Sequence, residues 1–381
     1  MKESIIIRNI GPLKNIYITE IPSFTVFIGP SGSGKSMLMK IVILMRYVFK
    51  LICIRSYLKN SGISKSPFKI SIDGLLRDDL KAHIPYESKA EIIYKVISEA
   101  GVEYCITYKD KKLYLPSNIP DTDIHFSKES WVSEMRNVIP SWIANPANSK
   151  GSLGFYFQET LTDFTEAAQH IQGLDLGFLN GHLNIEKRNG VPRYFFTMPG
   201  VHDSIELRHA SSGIQTAAPL ALLTKYFANE FSFKEAKRRS ILSYLFESDR
   251  ITDFHPSTEL SDVPTVVNIH IEEPELSLDP VSQIKMVDYL VDTAFNRASN
   301  PVTLMLATHS PYIVNALNLI INRSDGYASL PADELAVFAI HNGYLINLKS
   351  KTEMGNTVVD TIDLTSPMER ILADYNRLVL N

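Results

Sequence analysis

Residues 29–36 read Gly29-Pro30-Ser31-Gly32-Ser33-Gly34-Lys35-Ser36, the spacing G-x-x-x-x-G-K-S, between an apolar run, FTVFI, and a long helix-permissive run, MLMKIVILMRYVF. Glycines here let the backbone turn and let successive N–H groups converge on an anion. A helix that starts immediately afterwards adds positive potential at its N-terminus. The chemistry this predicts is phosphate binding: Lys35 reaches the β and γ phosphates of a nucleoside triphosphate, and Ser36 offers its hydroxyl to Mg²⁺.

Three later strings could complete such a site. Residues 266–271 form an apolar run interrupted by Asn268 and His270, which reads as a buried strand with Glu272 and Glu273 at its C-terminal end. Ligands in open α/β sheets gather at that edge. Glu272, ending the strand, is the candidate for the magnesium shell, and Glu273 is the candidate base or positioner of the attacking water. Asp279 sits between Pro274 and Pro280, where the chain leaves the strand and turns into a helix. His309 follows the strand-like VTLMLA and precedes Ser310-Pro311, so a neutral imidazole there could hydrogen-bond the γ phosphate or the water. Ser211, Ser212, Gly213 and Gln215 open a helix-like run, and a second anion-suited N-terminus makes best sense if it serves a nucleotide held by another copy.

These four strings, GPSGSGKS, ASSGIQ, VVNIHIEEPELSLDP and LATHS, make the chain resemble the ABC-type ATPase heads of the SMC, RecF and overcoming-lysogenization-defect (OLD)-like group. The resemblance covers about residues 1–55 and 195–345 and implies an α/β fold: a P-loop ATPase head with a mixed sheet, a β-lobe and a mixed α/β insertion. It also implies ATP and Mg²⁺ as cofactors and an ATP-dependent homodimer. The partners it implies are a nuclease or toxin effector, with DNA a further candidate and no membrane, in a setting of antiviral defence or, as the alternative, housekeeping repair. In its terms 29–36 are Walker A, 211–215 the signature, Glu272 and Glu273 the Walker B pair, Asp279 the D-loop acid and His309 the switch histidine. Glu272 stands where an Asp is more usual, Ser212 where transporters have Gly, and Gln158 is a weak match to the Q-loop glutamine. A slow-turnover scaffold that uses ATP as an assembly clamp is the alternative, and a transporter ATPase a more distant one.

The elements that must position these residues divide the chain. Residues 1–60 are expected to form the N-terminal part of the head, 61–195 the β-lobe and inserted module, and 196–381 the C-terminal part. AEIIYKVI and EYCITYKDKKLYLP read as strands with a turn at Lys109-Asp110-Lys111, residues 127–172 as largely helical around the NPANSKG loop, and 182–197 as strands joined through Asn189-Gly190. SIIIRNIGPLKNIYI reads as an opening strand pair, LAVFAIHN and GYLINLKS as closing strands, and 358–380 as a region containing a last helix.

With 381 residues the chain can bury a substantial core, and motifs on both sides of the middle argue for one head with an insertion. The formal charge of −4 does not advertise nucleic-acid binding, although a local basic groove could coexist with it. Lys109, Lys111, Lys112, Lys187, Arg188 and Arg193, with Tyr108, Tyr114 and Tyr194 nearby, form a candidate groove, or simply solvated hairpins. Lys234-Glu235-Ala236-Lys237-Arg238-Arg239 is either a partner patch or the wet face of a helix. Two cysteines, Cys53 and Cys105, are too few for a disulfide framework or a zinc cluster. No secretion signal is read and the apolar 37–54 run carries Lys40, Arg46 and Lys50, so a cytoplasmic location is expected.

Overall fold

Strands whose residues are mostly apolar without alternation must be covered on both faces, and three such strands, Phe24–Ile28, Val302–Thr308 and Leu335–His341, lie side by side in one mixed sheet. The computed structural model describes residues 1–63, 68–84, 89–144, 154–188, 191–201, 203–247, 251–323, 328–361 and 370–378. β1 (Lys2–Ile10), β2 (Leu13–Ile18) and β3 (Phe24–Ile28) lead into the helix Lys35–Asn60. β4 (Glu91–Ile97), β5 (Glu103–Lys109) and β6 (Lys112–Tyr114) form an antiparallel meander, and β7 (Phe126–Val132) follows. Beyond the helix Phe155–His170, β8 (Gly173–Leu176), β9 (Gly181–Arg188), β10 (Val191–Thr197) and β11 (Ile205–Glu206) make a separate four-stranded antiparallel sheet. β12 (Thr265–Glu272), β13 (Val302–Thr308), β14 (Leu335–His341) and β15 (Tyr344–Asn347) complete the main sheet, whose 11 strands run β6-β5-β4-β1-β2-β15-β14-β3-β13-β12-β7.

β14, β3, β13, β12 and β7 are parallel. β13 lies between β3 and β12, so the ends of three neighbouring parallel strands carry the glycine loop, Thr308-His309 and Glu272-Glu273. This mixed α/β architecture agrees with the fold class expected from the sequence. Every residue of β3 is buried: Phe24, Val26 and Ile28 join one apolar cluster with the helices Ser212–Lys225, Pro280–Val291 and Pro311–Ile320, and Phe27 joins the other with Lys35–Asn60. Among the described residues no helix is long and apolar enough to cross a membrane. The Lys35–Asn60 helix is core, with Arg46 buried and paired to Glu3 at 2.8 Å.

The hairpin expected at Lys109-Asp110-Lys111 is present, with positive φ at Asp110 (50°) and Lys111 (61°), the primed geometry that matches strand twist. The helical reading of 127–172 needs correction at its start. Phe126–Val132 is a strand, paired in parallel with β12 from Thr265↔Phe126 to Ile271↔Val132. Trp131 packs into one apolar cluster and Val132 into the other, and this two-sided burial outweighs a helix-compatible pattern. β7 therefore belongs to the main sheet, as do β4, β5 and β6. The NPANSKG loop and the Asn189-Gly190 turn lie outside the described residues.

The polar interruptions of β12 also find their reason. Val267, Ile269 and Ile271 face one apolar cluster, while Asn268 and His270 meet a buried polar layer: Asn268 Nδ2 donates to Glu129 Oε1 at 2.9 Å, and Thr303 Oγ1 donates to Asn268 Oδ1 at 2.7 Å. His270 is 0 % exposed, with Nε2 3.3 Å from Arg46 Nη1 and Nδ1 3.2 Å from Ser130 O. Arginine only donates, so Nε2 accepts and Nδ1 carries the proton. Burial first, and Arg46 second, push this imidazole down to about 3 from 6.5. The unfolded chain then binds the proton at higher pH than the folded one, so stability is present at neutral pH and lost as pH falls from 6.5 towards 3. For this group the slope is about 1.4 kcal/mol per pH unit. Urea titrations across that window should show a shallower loss in His270→Gln than in the parent, and parallel curves would show that His270 does not set the acid limb.

Candidate functional site

The glycine loop is held by close packing as well as by dihedral freedom. Gly34 has φ 102°, and a Cβ there would lie 2.7 Å from Leu13 Cδ2; at Gly29 it would lie 2.8 Å from Ile340 O. Leu38 N donates to Gly34 O at 2.8 Å, so the first helical turn begins inside the loop. Ser33 Oγ is buried without a hydrogen-bond partner, a polar atom left over for something the loop would cradle. Lys35 Nζ donates to Gly29 O (2.8 Å) and Pro30 O (3.0 Å) and lies 3.5 Å from His309 Nδ1. Loss of hydration pushes its ammonium down to about 8, against the opposing pull of Glu273 and Glu275.

Ser36, on the first turn of the helix, stands beside the Glu272 carboxyl and favours its charged form. Glu272 is 5 % exposed and also hydrogen-bonds Glu134, from the 3₁₀ turn Glu134–Val138 that follows β7. Burial and the Glu134 carboxylate push Glu272 up to about 8, while the hydrogen bond received from Glu272 holds Glu134 down. The two carboxyls thus stand side by side next to a serine hydroxyl. Three hard oxygen groups converging in this way fit Mg²⁺. Among the described residues no group of three or more His, Cys, Asp or Glu side chains could hold a metal alone, so the ion would draw further oxygens from phosphate and water.

Glu273 turns out of the strand with φ 44°, its N–H donating to Ala307 O at 2.8 Å. Its Oε1 lies 3.5 Å from His309 Nε2. Glu275 fixes the histidine backbone: it accepts from His309 N at 2.6 Å and from Thr308 Oγ1 at 2.9 Å. Lys35, His309 and Glu273 therefore form one contiguous line from the phosphate loop to the end of β12.

Ser211 is the N-cap of the Ser212–Lys225 helix, and Ser211 and Ser212 are exposed. Gly213 packs on the loop after β12, where a Cβ would lie 2.9 Å from Ser277 O. Gln215 fastens the preceding turn, its Nε2 donating to Arg208 O and Ala210 O, each at 2.9 Å. Asp279 caps the Pro280–Val291 helix, accepting from Val281 N at 3.0 Å and Ser282 N at 3.2 Å. Gln158 lies on the exposed face of Phe155–His170, whereas Glu134 occupies the place beside Glu272. The sequence reading missed Glu134, Arg136 and Glu275. Glu275 stands in the EEPE string and was within reach, but the other two lie in a stretch read as helix.

Part of the candidate nucleic-acid groove is taken up by its own acids, while Lys112, Lys187 and Tyr114 are exposed. Lys109 pairs with Glu91 at 2.9 Å, Arg193 with Glu206 at 3.3 Å, and Tyr108 and Tyr194 are buried. In the 234–239 segment Lys237 is buried, donating to Leu260 O and Val263 O, and Arg239 approaches Glu166 at 3.7 Å. The side chain of Arg188 lies outside the described residues.

No protein-family model and no curated protein sequence matches the chain. Among solved structures it is similar to an SMC head bound to the C-terminal winged-helix domain of ScpA, with 12% identity over 91% of this chain and 98% of that one and a TM-score of 0.43. It is likewise similar to the SMC head domain from Thermotoga maritima (13% identity, 92% and 99% covered, TM-score 0.36). The recombination mediator RecF gives 12% identity, 91% and 98% covered, and a TM-score of 0.36. The fold described above rests on strand order and loop geometry.

Proposed function

We propose that this chain is an Mg²⁺-dependent ATPase head of the SMC/RecF-like kind that works as a nucleotide-closed dimer. The observation that carries the reading is the convergence, at the carboxyl ends of three adjacent parallel strands, of Lys35, of Ser36 with Glu272 and Glu134, and of Glu273 with His309. Loop N–H groups and Lys35 bind the polyphosphate. Ser36, Glu272 and Glu134 would hold Mg²⁺, which when bound supplies positive charge to the phosphate oxygens. Glu273 orients and deprotonates the attacking water, and His309 is placed to hydrogen-bond that water or the γ phosphate. Asp279 and the exposed Ser211 and Ser212 would face the nucleotide of a second copy, which is why a dimer completes the site.

We further propose that the output passes to a partner protein rather than directly to DNA, since Lys109 and Arg193 are already paired and Tyr108 and Tyr194 are buried. The slow-turnover reading draws on one contact: Lys35 spends its donors on the loop's own carbonyls and must exchange them for phosphate. Phosphate release from ATP should require Mg²⁺ and cease with EDTA, and light scattering should show doubling of mass with Mg-ATPγS. A protein that binds no nucleotide at millimolar Mg-ATP would sink the reading.

A further inference from the structure

We infer that Arg136 is a positioning residue that holds the water-activating Glu273 of one nucleotide site in register with the signature helix that serves the other site. The inference rests on the ATPase reading above. Arg136 is 0 % exposed, and its hydrogen-bond acceptors are backbone carbonyls. Nη1 donates to Glu272 O at 2.7 Å and Ser133 O at 3.2 Å, Nη2 to Glu273 O at 2.6 Å, and Nε to Thr216 O at 3.1 Å. One rigid guanidinium thus joins the turn that carries Glu134, the end of β12 and the N-terminal part of Ser212–Lys225. A lysine could not span this fork.

The tie is reinforced on the helix side. Thr216 Oγ1 donates to Leu276 O at 2.8 Å, and Gly213 packs against Ser277. The helix and the loop after β12 therefore move together. On the other side of the fork is Glu273, whose φ of 44° is uncommon for a residue with a Cβ and which lies 3.5 Å from His309. Its carbonyl accepts from Arg136 at 2.6 Å and from Leu276 N at 3.0 Å, and its N–H donates to Ala307 O, so the guanidinium helps to set the direction of its carboxylate. A shift of the signature helix, as it engages a second copy's nucleotide, would reach Glu273 through Thr216 O, Arg136 and Glu273 O.

The test compares Arg136→Met and Arg136→Lys with the parent in the full chain. In Arg136→Met kcat should fall about 10²-fold while KM for Mg-ATP stays within about threefold, and Arg136→Lys should regain about tenfold. Hydrogen exchange should rise together in 212–216 and 272–276, and Mg-ATPγS should no longer slow exchange at 212–216. Parental kcat in a folded Arg136→Met protein overturns the inference. So does a loss of binding and turnover in parallel with a lowered Tm, which would make the residue structural only. Should Arg136→Met not fold, Thr216→Val cuts the reinforcing tie, with an expected fall in kcat of about tenfold at constant KM; an unchanged kcat there also overturns it. Failure of the ATPase reading is separately visible as no nucleotide binding by the parent. The joint exchange of 212–216 and 272–276 still decides the tie in that case, and its absence overturns it.

Discussion

Glu273→Gln is expected to lower phosphate release by about 10²- to 10³-fold while nucleotide binding is kept, the usual cost of removing one strong transition-state contact. The substitution is isosteric. The backbone of residue 273 stays fixed by Arg136 and Ala307 O, so the amide should occupy the place of the carboxylate. What is lost, on the proposed role, is the charge that accepts the water's proton. Removing one negative charge from a cluster that includes Glu134, Glu272 and Glu275 should also favour a polyanionic ligand. A protein that binds and does not hydrolyse should accumulate in its closed form, so Mg-ATP should move the solution mass from one subunit to two. Single-turnover phosphate release together with light scattering reads both, and parental turnover would remove Glu273 from the role of base.

Lys35→Ala should instead damage capture, raising the Kd for Mg-ATP by about 10²-fold, equivalent to about 3 kcal/mol. Glu273 and Glu275 both act on Lys35 electrostatically, and Glu272 and Glu134 lie beside the neighbouring Ser36. With the ammonium gone, the triphosphate would meet a cluster of carboxyls with its nearest cation missing. The same change frees the carbonyls of Gly29 and Pro30, so the loop loses an internal clasp. Calorimetric titration with Mg-ATPγS separates this variant from Glu273→Gln, because one loses affinity and the other rate. Equal affinity for parent and Lys35→Ala would show that the loop N–H groups suffice.

Much of this site was legible because its signals are local. The glycine loop, the apolar strands before Glu272 and His309, and Asp279 just ahead of Pro280 are each written in a few adjacent residues, and short-range dihedral and capping rules act at that distance. The opening strand pair β1 and β2, the Asp110-Lys111 turn and the closing strands β14 and β15 follow for the same reason. Glu134, Arg136 and β7 were not legible, because their meaning comes from partners far along the chain. Arg136 finds Glu272 and Glu273 across 136 and 137 residues, and nothing near it announces a buried cation. Lys109 and Arg193 looked free for phosphate until pairing with Glu91 and Glu206 spent their charge. The sequence by itself determined which side chains have the types and spacing that phosphate chemistry would use and which strand ends carry them. Only the tertiary structure decided which carboxyl stands beside Glu272, what holds Glu273 in its left-handed turn and which cations remain unpaired, since burial and charge neutralisation are properties of the packed chain.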